Sequence, residues 1–290
     1  MSVGQIAHAV SVGVVGAGQI GRTVAHAFAE HGPVVLMDRD PDALAQATAA
    51  IRRAHLARLL RKATTVPGDV LMERITTTGD LHRAATAGLV VENVTEDAEL
   101  KLAVHRGLAA APPGTVIAAN TSVIPISFLA KAHEDPGRLL GLHFMIPATE
   151  IRTVELITGP ATAQATAERA TRILDDAGFA AVTVGDGPGF VANRVLMPMV
   201  NDAAALVRTG VAAPADVDAV FTACNGHRLG PLATADLIGL DTVVHSLRML
   251  VRFTGEERFQ PDPLLLRLVG EGRSGRKAGR GFFSYGTGAA

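Results

Sequence analysis

The sequence predicts an α/β protein of two domains, a parallel sheet with helices over residues 1–186 and a smaller all-α domain over residues 187–290. Three observations support this fold class. Short apolar runs alternate with helical patterns in the first part, which is typical of right-handed crossovers between parallel strands. The segment GDGPG then interrupts this pattern. From residue 190 onward the pattern is helical, with no further alternation of strand length until the tail.

Composition excludes several classes of function. Lys and Arg number 27 against 28 Asp and Glu, so no net field favours nucleic acid or an anionic membrane. No apolar run reaches the ~20 residues that a membrane helix needs. The single cysteine, Cys224, can form no internal disulfide and is expected in the core. We therefore expect a cytoplasmic protein without a nucleic-acid or membrane partner.

The strands and helices of the first domain follow from the apolar pattern in chain order. Strands are expected in the segments HAVSVGVV, PVVLM, LVVENV, GTVIAANTS, RLLGLHFM, TVELIT and AAVTVGD. Helices are expected over residues 20–30, 41–63, 99–110 and 161–177.

The second domain is expected to contain helices over residues 190–209, 214–224, 232–253 and 263–271. A Gly followed by a Pro in LVRTGVAAPADVDAVF separates the first two of these helices. A closing strand is expected in GFFSY. Several helix faces are broadly apolar, so we expect this domain to pack against a second subunit in a homodimer.

A glycine-rich loop predicts a dinucleotide site in a Rossmann-type domain. Gly16, Gly18 and Gly21 have the spacing G-x-G-x-x-G between the first strand and a helix. The second strand ends in Asp38, whose carboxylate would accept the ribose hydroxyls of NAD and repel a 2′-phosphate. Arg39 leaves NADP as an alternative, and a glycine turn without a ligand is the other. The loop residues assigned to the cofactor also include Gln19 and Ile20.

A histidine and a glutamate stand out in two apolar runs. Glu155 lies between apolar neighbours in TVELIT, where an unpaired buried carboxylate is costly. His143 ends a similar run twelve residues earlier, and twelve residues suffice for a turn and a return. A carboxylate on one imidazole nitrogen would fix the tautomer of a general base. The alternative places Glu155 on an exposed edge strand and His143 in the core.

Eight motifs in order make the chain resemble a known family. The glycine loop is followed by VVENVTEDAELK, NTSVIPIS, GLHFMIP, VELI, GDGPGFVANR, GPLATADLIGLDT and GRKAGRGFFSY. Together they resemble the 3-hydroxyacyl-CoA dehydrogenase family, including bacterial 3-hydroxybutyryl-CoA dehydrogenases. The resemblance covers nearly the whole chain and implies NAD as the cofactor.

The resemblance implies roles for individual residues. His143 matches the catalytic base of the family and Glu155 the carboxylate that orients it. Ser122 matches the serine that hydrogen-bonds the substrate hydroxyl, and Asn193 the asparagine that helps to hold the reacting substrate.

Further positions are assigned to the cofactor. Glu96 and Lys101 match family residues near the nicotinamide ribose, and the predicted cofactor site also includes Asn120 and Ser122. The alternative for Glu96 and Lys101 is an exposed acid at a helix start and a surface lysine. No metal site is expected.

The chain departs from the family pattern in two places. Ile146 replaces an asparagine on the cofactor side of the site, and isoleucine can neither donate nor accept a hydrogen bond. The helix that helps to hold coenzyme A in relatives is here rich in basic residues that could meet a pyrophosphate or an acidic carrier protein, or form a solvated face. They are Arg52, Arg53, Arg58, Arg61 and Lys62.

The leading hypothesis is therefore an NAD-dependent dehydrogenase that interconverts a short L-3-hydroxyacyl thioester of CoA and its 3-oxo product. One alternative is the same chemistry on a hydroxyacyl group, such as a glyceryl group, carried by an acyl carrier protein in polyketide extender-unit synthesis. The other, of a different class, is a catalytically inactive NAD-binding structural protein.

Overall fold

The chain divides into two compact units, Met1–Asp186 and Gly187–Ala290. The computed structural model describes residues 10–286. The start of the first predicted strand, His8 and Ala9, lies outside the described residues. Within residues 10–286, no helix combines the length and apolar character needed to cross a membrane.

Over residues 10–186, the first unit is built on one sheet of eight strands. They are β1 Val12–Val15, β2 Val34–Met37, β3 Ile75–Thr78, β4 Leu89–Glu92, β5 Val116–Ala119, β6 Leu139–Phe144, β7 Thr153–Thr158 and β8 Ala180–Gly185. The order is β3-β2-β1-β4-β5-β6-β7-β8, and the first six strands are parallel. An order of 3-2-1-4-5-6 is typical of the Rossmann fold. The predicted fold class is confirmed.

The last two strands depart from the expected parallel sheet. β7 is antiparallel to β6, and β8 is parallel to β7. A segment of eight residues, 145–152, is enough to return the chain antiparallel, whereas a parallel return needs a crossover of a dozen residues or more. This return brings the predicted histidine and glutamate strands together.

In the described part of the first unit, seven α-helices connect these strands. They are α1 Gln19–Ala29, α2 Pro41–Leu60, α3 Gly68–Glu73, α4 Leu81–Ala85, α5 Ala98–Leu108, α6 Ile126–Leu129 and α7 Gln164–Asp176. Helix α2 ends before the predicted residue 63, because Lys62 adopts a positive φ of 56°. β3 was not predicted, because its sequence ITTT carries no apolar run and is largely solvent-facing.

The second unit is helical throughout the part that the structure describes. Its helices are α8 Ala192–Arg208, α9 Pro214–Ala223, α10 Pro231–Ile238, α11 Leu240–Thr254 and α12 Pro263–Gly270. The single helix predicted over residues 232–253 is wrong, because Gly239 has a φ of 102° and separates α10 from α11. Cys224 is exposed rather than in the core.

The GFFSY segment does not form the predicted strand. It makes only an isolated bridge between Arg280 and Ser284. The buried Asp236 carboxylate instead accepts hydrogen bonds from the N–H groups of Phe282 and Phe283, at 2.9 Å each, and from the Tyr285 hydroxyl. The Asp236 carboxylate thus accepts the backbone hydrogen bonds that a neighbouring strand would accept if this segment were part of a sheet.

Three phenylalanines anchor the end of β6 in the core of the first unit. Phe144 packs edge to face on Phe28 and Phe179, with ring centroids 6.1 and 5.3 Å apart. Successive side chains of a strand point to opposite faces of the sheet. His143, directly before Phe144, therefore faces away from this aromatic cluster.

Candidate active site

The loop between β1 and α1 is shaped by its glycines. Gly16 has a φ of +98°, and a Cβ there would lie 2.8 Å from the carbonyl oxygen of Asn93. A Cβ at Gly21 would collide with the carbonyl oxygen of Gly16. A Cβ at Gly18 would meet nothing within 4 Å, so the backbone there is open to a ligand. Each glycine thus fits the place that the fingerprint gives it.

The first turn of α1 offers backbone donors to an anion. Its N-cap is Gly18, which provides no side-chain acceptor for the N–H groups of that turn. Gln19 is exposed and Ile20 half-buried at the helix start. Unsatisfied N–H groups and the helix dipole favour negative charge at such a position. The arrangement suits a pyrophosphate.

Asp38 lies at the carboxyl end of β2 beside the glycine loop. Its carboxylate accepts hydrogen bonds from the N–H groups of Ala17, at 2.8 Å, and Asp40, at 3.0 Å. These bonds fix the carboxylate, whose remaining lone pairs can accept ribose hydroxyls. Its charge disfavours a 2′-phosphate, so the local chemistry fits NAD better than NADP.

A cavity of about 440 Å³ connects the glycine loop with Asp38. Besides these two features, it is lined mainly by apolar side chains from β2, α4, the loop after β4 and α5, which suits the flat face of an adenine. These include Met37, Leu81, Val94, Leu100, Ala103 and Val104. The residues present therefore fit a dinucleotide.

The carboxyl ends of β4, β5 and β6 are joined through Asn120. Its side-chain amide donates to Asn93 Oδ1 at 2.7 Å, and its Oδ1 accepts the N–H of Phe144 at 3.2 Å. Asn120 is buried. Asn120, which was predicted to contact the cofactor, thus links the backbone of Phe144, next to His143, to the ends of β4 and β5.

Glu96 shapes the loop that carries Ser122. One carboxylate oxygen accepts the Thr121 hydroxyl at 2.5 Å and the N–H groups of Ser122 and Val123 at 2.9 and 3.0 Å. Three donors on one oxygen hold the turn in a fixed shape. Glu96 is therefore more than an exposed acid at a helix start.

Lys101 is buried, so the alternative of a surface lysine is wrong. Its ammonium donates to both carboxylate oxygens of Glu92, at 2.9 and 3.0 Å, and to the carbonyl oxygen of Asn120 at 3.1 Å. Burial raises the pKa of Glu92, but the Lys101 charge and the hydrogen bond with His105 outweigh it and keep that pKa below its usual range. Lys101 thus supports the backbone of β5 from within.

Two histidines that were not predicted to belong to the site extend the buried pair of Lys101 and Glu92. His105 Nε2 lies 3.2 Å from Glu92, and His105 Nδ1 lies 2.9 Å from His133 Nε2. Burial, together with His105 and Arg138, lowers the pKa of His133 to about 4. One signal was available, because Lys101 and His105 are four residues apart and share a helix face.

His143 and Glu155 meet as their spacing predicts. They lie directly opposite each other in the β6–β7 register, and His143 Nδ1 is 2.6 Å from Glu155 Oε2. Their side chains are 8% and 11% exposed. β7 lies between β6 and β8, so the alternative of an exposed edge strand is wrong.

The remaining predicted positions lie in different surroundings. Asn193 is buried in the first turn of α8, in the second unit. Ile146 is 42% exposed in the segment that follows β6.

Of the five predicted basic residues only Arg58 is buried, and the other four, Arg61 among them, are exposed. Arg61 donates to the Glu150 carboxylate at 3.1 Å. Arg58 is therefore not part of the predicted basic surface.

Comparison with known proteins agrees with this geometry. Residues 11–187 match the family model for the NAD binding domain of 3-hydroxyacyl-CoA dehydrogenase, and residues 189–285 match the model for its C-terminal domain. The chain belongs to the 3-hydroxyacyl-CoA dehydrogenase family. It is thus an NAD-dependent oxidoreductase.

Relatives of similar length support the assignment to this family. A probable 3-hydroxybutyryl-CoA dehydrogenase of Bacillus subtilis is 39% identical over 94% of this chain and 96% of its own. The crystal structure of Mycobacterium tuberculosis FadB2 matches with a TM-score of 0.90 at 34% identity, over 96% of this chain and 99% of that one. That of the (S)-3-hydroxybutyryl-CoA dehydrogenase PaaH1 of Ralstonia eutropha has a TM-score of 0.87 at 32% identity, over 96% and 99%.

Proposed function

We propose that the chain interconverts a short L-3-hydroxyacyl-CoA thioester and its 3-oxoacyl product, with His143 as the general base. The hydrogen bond between His143 and Glu155 is the observation that carries this proposal. It lies at the carboxyl end of β6, in a sheet whose ligands bind at the carboxyl ends of the strands. The acyl groups in the names of the relatives support the same choice of substrate.

The protein's part in the reaction is the movement of one proton. The Nδ1–H of His143 donates to Glu155, so the neutral imidazole has its lone pair on Nε2. Nε2 takes the proton of the substrate hydroxyl as the carbonyl forms, and the Glu155 carboxylate stabilises the resulting imidazolium. Bound NAD would supply the acceptor for the hydride that leaves the carbon bearing this hydroxyl. Proton and hydride together account for the two hydrogens that leave the alcohol.

Ser122 and Asn193 are proposed to hold the substrate oxygens. The backbone of Ser122 is fixed by Glu96, so its hydroxyl is displayed from a rigid turn. Short polar side chains on rigid backbone are suited to orienting a reacting oxygen. The role of Asn193 rests on the resemblance of FVANR to the family motif.

A panel of substrates tests the proposed activity. L-3-hydroxybutyryl-CoA, longer 3-hydroxyacyl-CoA thioesters and their D isomers would each be followed through NADH absorbance at 340 nm, with NADP as a cofactor control. We expect turnover of the L isomers with NAD. Turnover of free hydroxy acids without any activity on thioesters would contradict the proposal.

A second candidate is the same chemistry on an acyl carrier protein, for example on a glyceryl group. The exposed face of α2 favours it, because Leu56 and Leu60 are accessible between Arg53 and Lys62. Apolar groups with a basic rim complement an acidic helix of a carrier protein. Parallel assays of CoA and carrier-protein thioesters would separate the two.

An inactive structural protein is less well supported. Such a protein would have no need to keep a histidine and a carboxylate in a hydrogen bond of 2.6 Å at the carboxyl end of β6. Absence of turnover on every thioester, with NADH binding intact, would favour it.

The assembly is proposed to be a cytoplasmic homodimer formed through the second unit. Large apolar side chains there are exposed, among them Val195, Val211 and Leu237. Exposed apolar groups in such number are typical of a protein contact. Light scattering on the purified protein should give about twice the 30.1 kDa mass of one chain.

A further inference from the structure

The segment that joins the histidine strand to the glutamate strand is held from outside the sheet. This connecting segment, residues 145–152, makes few backbone hydrogen bonds of its own. Among those few, the N–H groups of Glu150 and Ile151 both donate to the Pro147 carbonyl, at 2.9 and 3.0 Å. Eight residues do not impose a register as a two-residue hairpin turn does. Other contacts must therefore help to fix how β6 pairs with β7.

Arg58 of α2 supplies contacts of this kind. Its guanidinium donates to the Thr149 carbonyl at 3.0 Å and to the Glu150 carboxylate at 3.3 Å. It also donates to both oxygens of Glu30, at 3.2 and 3.4 Å, and to the carbonyl of Ala63 at 3.1 Å. These five bonds use all five N–H donors of an arginine. Arg58 has no donor left for a substrate carrier.

Glu30 ties the far end of the segment to the same cluster. Arg152, directly before β7, donates to Glu30 Oε2 at 2.8 Å and lies over the Phe179 ring. Burial raises the pKa of Glu30, but Arg58 outweighs it and holds that pKa below its usual range. Glu30 therefore keeps its charge at neutral pH. The cluster binds the connecting segment at residues 149, 150 and 152.

A metal site is the competing interpretation of this region. Ligand atoms of His26, Glu30 and His55 lie within 4.8 Å of one another. However, His26 Nε2 is 3.0 Å from His55 Nδ1, which is a direct hydrogen bond, and His55 Nε2 lies 2.9 Å from the Val66 carbonyl. Two arginines already neutralise Glu30, so a divalent cation would meet their charge. The cluster is complete without a metal.

We propose that Arg58 is a positioning residue for the reaction, which holds the connecting segment so that Glu155 stays opposite His143. A slip of one residue would turn Glu155 to the other face of the sheet. The five hydrogen bonds of Arg58 go to neither His143 nor Glu155, so it acts through the segment between them. The inference deepens the proposed function and rests on it.

Kinetics of matched variants test the proposal. Arg58→Met removes the donors, Arg58→Lys keeps the charge without the fork, and Arg172→Met alters an exposed arginine of α7 as a control. We expect kcat to fall between about tenfold and a hundredfold in Arg58→Met. The fall should be smaller in Arg58→Lys and absent in Arg172→Met. KM for NAD should not change in any of the three.

A double-mutant cycle separates positioning from general destabilisation. In a Glu155→Gln background, Arg58→Met should lower kcat by less than about twofold, because the carboxylate that it positions is already lost. Equal losses in both backgrounds, or an unchanged kcat in folded Arg58→Met, would overturn the proposal.

A spectroscopic measurement keeps the proposal independent of activity. The imidazole N–H proton of His143 should give a downfield NMR signal, identified by its loss in His143→Asn. We expect the signal to be lost in Glu155→Gln, weakened in Arg58→Lys and unchanged in Arg172→Met. An unaltered signal in Arg58→Lys and Arg58→Met would contradict positioning. Absence of turnover in the wild type would contradict the proposed function. The NMR signal would still test whether Arg58 orders His143 and Glu155.

Discussion

Two histidine–carboxylate pairs of the first unit have different surroundings. His143 and Glu155 lie 2.6 Å apart, with side chains 8% and 11% exposed. His105 and Glu92 lie 3.2 Å apart and are fully enclosed. Glu92 also binds the Lys101 ammonium, and the second nitrogen of His105 contacts His133. The second pair is thus part of a longer buried chain.

The difference shows that residue types alone do not define a catalytic pair. Both pairs can fix a tautomer, but the second nitrogen of His105 faces another histidine in the interior, where no substrate can reach it. The reacting nitrogen of a general base must come within hydrogen-bond reach of a substrate. We therefore propose a chemical role for the first pair and support of the carboxyl ends of β4 and β5 for the second.

The largest expected effect is the loss of stability when the buried Glu92 loses its cation, Lys101. Lys101→Met leaves Glu92 without its cation in a dry site, which should cost about 3–5 kcal/mol of unfolding free energy. Urea unfolding followed by circular dichroism measures it. Lys131→Met, at an exposed lysine, is the control and should change little. A loss below about 1 kcal/mol in Lys101→Met would place this pair among ordinary surface ion pairs and weaken the comparison.

The His143–Glu155 pair, which is partly exposed, should affect activity more than stability when it is changed. Glu155→Gln removes the acceptor that sets the tautomer of His143, so kcat should fall about a hundredfold. The fold should remain, and unfolding free energy should change much less than in Lys101→Met. Steady-state rates and urea curves on the same preparations check both. A variant with normal kcat but poor stability would mean that the two pairs had been assigned the wrong way round.

The smallest expected effect is the dependence of stability on pH. Burial lowers the pKa of His26 and of His133 to about 4. Glu30, His55, Arg58 and Arg152 surround His26, and of these only Glu30 favours its protonated form. Between pH 6.5 and 4 the unfolded chain binds more protons at these two sites, so stability should fall as pH falls through that range.

Chemical unfolding at several pH values measures this dependence. His133→Asn should flatten the slope between pH 6.5 and 4, because it removes one of the two sites. His82→Asn, at an exposed histidine, serves as the control. A steeper slope in His133→Asn would contradict the assigned direction.

The sheet and the contact between His143 and Glu155 could be predicted because each left a local pattern. The apolar strands β1, β4 and β5 are buried on both faces and read as continuous runs. The twelve-residue spacing placed His143 and Glu155 on strands that return side by side. In both cases the pattern that carried the prediction lies within a short stretch of chain.

Other features depend on contacts that are distant in sequence. Arg58 and Thr149 are 91 residues apart, so nothing near Arg58 showed that it is buried rather than part of a basic surface. β3 is polar and gave no apolar signal. The break at Gly239 was missed because the apolar helical pattern continues across it, and only the backbone conformation shows it.

The most direct test of the central claim is the rate of His143→Asn with NAD and L-3-hydroxybutyryl-CoA, measured beside NADH binding. Loss of a general base should lower kcat by about 10²–10⁴-fold. NADH affinity and unfolding free energy should stay near their wild-type values, since His143 is not part of the glycine loop or the buried Lys101 pair. Turnover close to wild type in a folded, NADH-binding His143→Asn would contradict the assignment of this histidine as the base.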